Sequence, residues 1–231
     1  MSLLVDSFWS ALLLIRSLDP ELFFIVYVSL RISLLSTIGA GVIGIPIGFW
    51  ISLRDFKGKQ FLITVFNTLL AVPTVVVGLF VYVFISRRGI LGPLDLLYTQ
   101  NAIVVGQILL VAPIVVTFTI AAVSRVDDRY RKTAMTLGAT PWQTALAIFR
   151  EARFGIMATV VAAFGRVIAE VGVSMMLGGN IKGFTRTMTT AMALEYDKGE
   201  FVLAVALGLI LLTVSFAVNI ALSRVQGRVK V

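Results

Sequence analysis

The stretch "TAMTLGATPWQTALAIFREARF", residues 133–154, lies between two long apolar stretches and is much more polar than either of them. Gly138 interrupts its helical pattern, and Thr140 before Pro141 is a typical start of a new helix. Two acidic residues just before the stretch suit the positive end of a first helix. The pattern therefore predicts two short helices that are joined at Gly138 and lie outside the membrane.

The second of these helices has one apolar face. Trp142, Ala145, Leu146 and Phe149 recur at helical spacing, so their side chains lie on one side of the helix. Such a face is stable when it is covered, either by another protein or by the surface of a bilayer. The residues alone leave both alternatives open.

The composition is that of an integral membrane protein. Of the 231 residues, 58% are hydrophobic and 14% are charged, and the mean hydropathy is +0.98. The net charge of +8 would suggest nucleic acid in a soluble protein, but in a membrane protein the positions of the cations matter more, and we expect no nucleic acid partner. The chain has neither cysteine nor histidine, which excludes thiolate metal sites and Ser-His-Asp triads. We expect no metal or other cofactor in this chain, and no Gly-x4-Gly-Lys-Ser/Thr run is present to bind ATP.

Charge-free intervals indicate the membrane spans, because a helix needs about 20 mostly apolar residues to cross a bilayer. Four intervals contain no Asp, Glu, Lys or Arg, and a fifth contains only Arg166 and Glu170. The five predicted spans are approximately 24–53, 60–86, 100–124, 155–179 and 201–224, with a loop at 125–154, in one membrane domain over residues 1–231. The stretch before the first span is too short to cross and predicts an amphipathic helix that lies on the membrane surface.

The Lys and Arg residues between the spans predict the orientation, because short basic loops stay in the cytoplasm. One side of the membrane collects twelve of these cations: Arg54, Lys57, Lys59, Arg125, Arg129, Arg131, Lys132, Arg150, Arg153, Arg224, Arg228 and Lys230. The other side has six: Arg16, Arg87, Arg88, Lys182, Arg186 and Lys198. The stretch 133–154 is therefore predicted to be cytoplasmic. The N-terminus is predicted to lie outside and the C-terminus inside.

The stretch 133–154 resembles the "EAA" loop of the membrane subunits of ABC importers. The pattern of that loop is Glu-Ala-Ala, three residues, Gly, nine residues, Ile, one residue, Leu-Pro. Ala134, Gly138 and Ile148 match this pattern. The chain departs from it at four positions, which are Lys132, Thr133, Arg150 and Glu151. The resemblance implies that the loop docks on an ATPase subunit through Ala134, Gly138, Ala139, Thr140, Pro141, Trp142, Ala145, Leu146 and Phe149. The alternative is a helix that lies on lipid.

The resemblance extends over about residues 22–225 and is strongest to the permeases of tungstate and molybdate importers. "GAGVIGIPIG", "VPTVVVGL" and "AFGRVIAEVG" are similar to segments of their spans, and "GGNIKGFTRTMTTAMALE" looks most like tungstate permeases. It implies the all-α, five-span permease fold of type I ABC importers, in the cell membrane of a prokaryote. It also implies a homodimer, two copies of an ATPase that binds ATP and Mg, and an extracytoplasmic oxyanion-binding protein. The membrane subunit itself would not be an enzyme.

Arg166 and Glu170 lie deep inside the predicted span 155–179, where an ionisable residue is costly. Their four-residue separation places them on one face, so each can compensate the other. Arg166 can also present positive charge to a passing oxyanion, with Glu170 limiting how tightly the anion is held. We expect a translocation path at Arg166, Glu170, Ser174, Pro73 and Thr74. Four threonines of the following loop, Thr185, Thr187, Thr189 and Thr190, offer hydroxyl donors but are more simply read as solvated.

Two other functions remain open on the sequence. The cargo of an importer permease could be molybdate, sulfate, phosphate or an amino acid instead of tungstate. A self-sufficient channel or secondary transporter would need no docking helix. An intramembrane enzyme is disfavoured, because without histidine or cysteine the available nucleophiles lack an obvious base.

Overall fold

A computed structural model describes residues 2–226 of the chain; Arg228 and Lys230 of the predicted cytoplasmic tail lie outside them. The described residues are almost entirely helical. The α-helices are α1 (Ser2–Arg16), α2 (Pro20–Leu53), α3 (Lys59–Leu69), α4 (Thr74–Ile85), α5 (Gln100–Ser124), α6 (Asp128–Thr136), α7 (Pro141–Ile168), α8 (Gly172–Gly178), α9 (Met188–Lys198) and α10 (Phe201–Gln226), and a short 3-10 helix covers Gly92–Leu94. The all-helical fold predicted from the sequence is confirmed.

Three described helices, α2, α5 and α10, are each long and apolar enough to cross a membrane. Two helix pairs reach that length only together. The pair α3 and α4 is bent by 99°, and the pair α7 and α8 by 59°. The described chain therefore has three to five candidate spans, and the number is five if each bent pair is one span.

The centre of the bundle is the close packing of α2 on α5. A β-carbon at Gly48 would lie 2.6 Å from the backbone oxygen of Val116, and one at Gly44 would lie 2.8 Å from Cβ of Val115. Only glycine leaves room for α5 at these two positions. Small residues at this spacing are a common way for membrane helices to approach each other.

The predicted span 60–86 is not one helix. Pro73 stands at its centre as the N-cap of α4, and α3 ends at Leu69. Proline lacks the N–H that a continuous helix needs, and it restricts Val72 before it to extended conformations. The chain therefore turns at this point, and α4 leaves at a right angle to α3.

The second helix predicted in the stretch 133–154, α7, is longer than predicted. Gly138 has φ +79° and ends α6, as expected, and Thr140 caps α7 in a capping box with Gln143. From Pro141, however, the helix continues without interruption to Ile168, because no proline or polar cap occurs in between. The prediction of a short helix that ends before the next span was wrong. The segment predicted to be cytoplasmic and the start of the predicted span are therefore one continuous helix.

Candidate translocation path and docking surface

The two bends lie next to each other. α4 begins at Thr74 and α8 begins at Gly172, and a β-carbon at Gly172 would lie 2.7 Å from Oγ1 of Thr74. One helical turn further on, a β-carbon at Gly78 would lie 2.9 Å from the sulfur of Met176. The N-terminal ends of α4 and α8 are therefore in contact with each other.

Arg166 and Glu170 flank the second bend and pair with each other. Nη1 of Arg166 donates a hydrogen bond to Oε2 of Glu170 across 2.6 Å. The other carboxylate oxygen accepts from the backbone N–H of Val173 at 3.1 Å, and Thr189 donates to the backbone oxygen of Glu170 at 2.8 Å. Glu170 is thus fully satisfied and buried, whereas the Arg166 side chain remains 38% exposed.

The predicted path residues do not all share this position. Thr74 is half-buried and Pro73 is exposed at the start of α4, close to the second bend. Ser174 instead is 1% exposed and accepts a hydrogen bond of 3.2 Å from Nε2 of Gln107. Its hydroxyl lies in the packing between α5 and α8, so this structure does not bring Ser174 to an open surface.

Gln107 is the polar residue that charge counting missed. It is 2% exposed in the middle of α5, where its amide oxygen accepts from Ser36 of α2 at 2.9 Å and its amide nitrogen donates to Ser174 of α8. One side chain therefore connects three helices. The signal in the sequence is a glutamine in the middle of a mostly apolar span, since uncharged polar side chains in membranes hydrogen-bond across helices.

Thr185 and Thr187 before α9 and Thr189 and Thr190 in its first turn are all buried, and the expectation that they are solvated was wrong. Thr185 donates to the backbone oxygen of Gly178 and accepts from the N–H of Ile181, while Thr187 caps α9 in a capping box with Thr190. Their hydroxyls satisfy the backbone where the chain leaves α8 and enters α9. In apolar surroundings an unpaired backbone group is costly, which explains hydroxyl side chains at this turn.

The apolar face predicted on α7 is divided between two uses. The Phe149 ring packs edge-on against Phe49 of α2 at 5.5 Å, and Ile148 and Ala152 are buried against Val123 of α5. The side chains further towards the start remain outside. Four apolar side chains form what we call the α6–α7 surface, with the exposed fractions 62% for Met135, 81% for Leu137, 77% for Trp142 and 40% for Leu146.

The remaining residues predicted for docking lie on or beside this surface. Gly138, Thr140 and Pro141 are exposed, and Ala134, Ala139 and Ala145 are half-buried. The carboxylate of Glu151 raises the pKa of the Tyr130 phenol, mainly by its charge and then by a side-chain hydrogen bond. This contact joins α6 to α7 at a position where the chain departs from the loop pattern.

Comparison with known proteins identifies the family. The sequence profile "binding-protein-dependent transport system inner membrane component" matches residues 44–231. The chain is 37% identical over 98% of its length to the tungstate uptake system permease protein TupB of Peptoclostridium acidaminophilum, of which it covers 99%. It is 39% identical over 88% of its length to a probable anion ABC transporter permease protein of Haloferax volcanii, of which it covers 90%.

Solved structures agree on the fold. The inward-facing MetNI methionine ABC transporter matches 92% of this chain and 99% of the compared chain, with a TM-score of 0.74 and 16% identity. A bacterial ABC transporter for the import of alginate matches 91% of this chain and 80% of the compared chain, with a TM-score of 0.75 and 17% identity. The fold is that of an ABC importer permease, and the relatives are membrane subunits rather than enzymes. This chain belongs to the family of binding-protein-dependent transport system inner membrane components.

Proposed function

We propose that this chain forms the path by which an ABC importer carries tungstate across the cell membrane of a prokaryote. The observation that carries the cargo is the full-length similarity to tungstate uptake permeases, at 37% and 36% identity. Molybdenum transport permeases are more distant at 28% and 29%, and a probable sulfate permease is at 23%. Tungstate is therefore the first cargo to test and molybdate the second.

The path runs past the two adjoining bends. Discontinuous helices in transporters direct the positive ends of half-helices at anions. α4 begins at Thr74, and no described side chain caps its first N–H groups. Arg166 adds a partly exposed guanidinium that pairs with Glu170 at the second bend. Glu170 neutralises part of that charge, so a dianion is attracted without being trapped.

Transport is driven by a separate ATPase subunit, which binds ATP and Mg and docks on the α6–α7 surface. An exposed tryptophan and leucine at a helix end are suited to a helix-in-groove contact. Because α7 is continuous from Pro141 to Ile168, a displacement at its start is carried directly to Arg166. The closure of the ATPase would thereby move the residues of the path.

A second copy of the chain completes the path, with two ATPase copies below it. α3 has no buried residue in the single chain, and its exposed face includes Thr64, Asn67 and Thr68. Thr64 and Thr68 donate to backbone oxygens within α3, but an amide that faces lipid leaves its hydrogen bonds unmade, so Asn67 favours water or a partner chain. We place α3 and the first bend at the twofold axis.

An extracytoplasmic oxyanion-binding protein delivers the cargo to the side that carries Arg87 and Arg88. The N-terminus lies on that side and the C-terminus in the cytoplasm, as the distribution of Lys and Arg predicts. An alginate transporter of the same fold was solved with its periplasmic protein bound, which supports such a partner.

Reconstitution in liposomes tests the proposal. The chain with its ATPase and binding protein should take up tungstate only when ATP is present on the side of the ATPase. Uptake that persists without the ATPase would contradict the proposal and favour a self-sufficient channel or secondary transporter.

A further inference from the structure

A groove of about 770 Å³ lies between the end of α5 and the middle of α7. On α7 it is lined by short side chains, among them Gly155, Ala158 and Ala162. Phe118 and Arg125 line it from α5. The middle of the groove is open because the α7 wall contributes so little bulk there.

The groove leads towards Arg166. Five residues, Glu151, Gly155, Ala158, Ala162 and Arg166, follow one another at intervals of three or four positions, so they share one side of α7. From the first to the last of them the helix rises by about 22 Å. The groove ends one turn before Arg166, whose side chain is 38% exposed. One side of α7 therefore connects the arginine proposed for the path with the loop predicted to be cytoplasmic.

This side of α7 differs from the surfaces that suit lipid. Exposed positions of α10 carry large apolar side chains, such as Leu212 and Phe216. On the groove side of α7, the accessible positions include Ala162 and Arg166 instead. A charged side chain inside a span almost always faces the interior of a bundle or a water-filled cavity. We therefore expect water rather than acyl chains along this side of α7.

The end of the groove away from Arg166 does not favour a bound anion. Glu151, Asp127 and Arg125 line it there, so two carboxylates lie beside one guanidinium. Asp127 also pairs with Arg129 at 3.7 Å. The carboxylates offset the attraction of Arg125 for a dianion, because like charges repel. An anion that reaches this end therefore gains little by staying.

We infer that this groove is the route by which the oxyanion leaves Arg166 for the cytoplasm. The anion passes Ala162, Ala158 and Gly155 and leaves beside Arg125. The short side chains along α7 keep the route open, so a bulky or negatively charged group at Ala162 should block it. This inference rests on the proposed function, since it assumes that the chain carries an anion past Arg166.

Cysteine labelling tests the route, because the chain contains no cysteine. Ala158→Cys and Ala162→Cys are each assembled with the ATPase subunit in inside-out vesicles, and an anionic methanethiosulfonate is added on the side of the ATPase. A thiol reacts as its thiolate, which is costly to form among acyl chains. Both cysteines should therefore react at least about tenfold faster than the control Leu212→Cys on the exposed side of α10.

The effect of labelling on transport is the second readout. Before labelling, Ala162→Cys should transport like the wild type, because cysteine is only slightly larger than alanine. Labelling attaches a negatively charged group at this position and should abolish ATP-dependent uptake, whereas the same treatment of Leu212→Cys should leave uptake unchanged. Uptake that survives complete labelling of Ala162→Cys would overturn the inference.

Two further results would also overturn it. Labelling of both cysteines as slow as that of Leu212→Cys would mean that this side of α7 faces lipid. A disulfide that forms between two copies of Ala162→Cys under mild oxidation would mean that a second copy fills the groove. Labelling rates are measured without tungstate and ATP, so a wild type that fails to take up tungstate would contradict the proposed function alone.

Discussion

Arg166 and Glu170 share a hydrogen bond of 2.6 Å, yet the arginine side chain is 38% exposed and the glutamate side chain only 3%. The two members of the pair are therefore not equivalent. Glu170 also accepts from the backbone of Val173 at the start of α8, so it belongs to the frame of the second bend. Arg166 is the member that can reach a ligand.

Replacing Arg166 by alanine should abolish tungstate uptake and also lower stability. The buried carboxylate of Glu170 loses its counter-charge, which lowers the free energy of unfolding. Breaking a fully buried pair costs about 3–5 kcal/mol, and we expect less here because Arg166 is partly exposed. Uptake in proteoliposomes and thermal unfolding in detergent measure the two effects separately.

The neutral double variant Arg166→Gln/Glu170→Gln separates the frame from the path. It retains a hydrogen-bonded pair at the bend without a buried charge, so stability should recover while uptake stays lost. Recovery of uptake together with stability would mean that Arg166 serves only the fold.

Replacing Gly48 by alanine should destabilise the bundle. The added carbon would lie 2.6 Å from the backbone oxygen of Val116, which cannot move without shifting α5 away from α2. We expect a loss of about 1–3 kcal/mol, as for other overpacked positions. Gly165→Ala is the matched control, because nothing lies within 4 Å of its β-carbon and alanine favours the helix. A Gly48→Ala protein as stable as the control would contradict the packing described for α2 and α5.

Replacing Trp142 by alanine should weaken binding of the ATPase subunit without changing the stability of the isolated chain. The Trp142 side chain is 77% exposed and contributes little to the fold, whereas an exposed tryptophan is a typical anchor of an interface. Truncation of such an anchor costs about 2 kcal/mol or more, which is at least about thirtyfold in affinity.

The contrast for Trp142 is Ile148→Ala, two turns along the same helix. Ile148 is 6% exposed in the core with Val123, so its truncation should cost about 2–5 kcal/mol of stability. If Trp142→Ala left co-purification with the ATPase unchanged, docking would have to be assigned to another surface.

Single cysteines test the orientation, because the chain contains none. Ser10→Cys on α1 should react with a membrane-impermeant maleimide added to intact cells, and Lys57→Cys after α2 should react only after lysis. Both side chains are exposed, so protection by the fold does not interfere. The reverse pattern would invert the orientation proposed from the Lys and Arg distribution.

The helical membrane fold and the family could be predicted from composition and from the loop pattern around Gly138, because both depend on local sequence. The bends could not be predicted in the same way. Pro73 indicates a break, but the 99° angle depends on how α4 packs on α8. The burial of Ser174 depends on contacts between residues far apart in the sequence. Ser174 is 67 residues from its hydrogen-bond partner Gln107, and Gln107 is 71 residues from its other partner Ser36.

The residues of the α7 face show the same limit. Helical spacing places Trp142 and Phe149 on one side, but only the tertiary fold decides that Phe149 packs against Phe49 and keeps 37% exposure, whereas Trp142 is 77% exposed. Likewise, the threonines at the turn into α9 are polar, so the sequence suggests that they are solvated. They are buried because the backbone of the turn needs hydroxyl partners, as Thr185 shows.

Competition for uptake tests the central claim most directly. Liposomes that contain this chain with its ATPase and binding protein would be supplied with ATP and labelled tungstate, in the presence of unlabelled tungstate, molybdate or sulfate. We predict ATP-dependent uptake that tungstate suppresses at the lowest concentration and sulfate only in large excess. Suppression by sulfate at the same concentration as tungstate would contradict the assigned cargo, and uptake without ATP would contradict the importer.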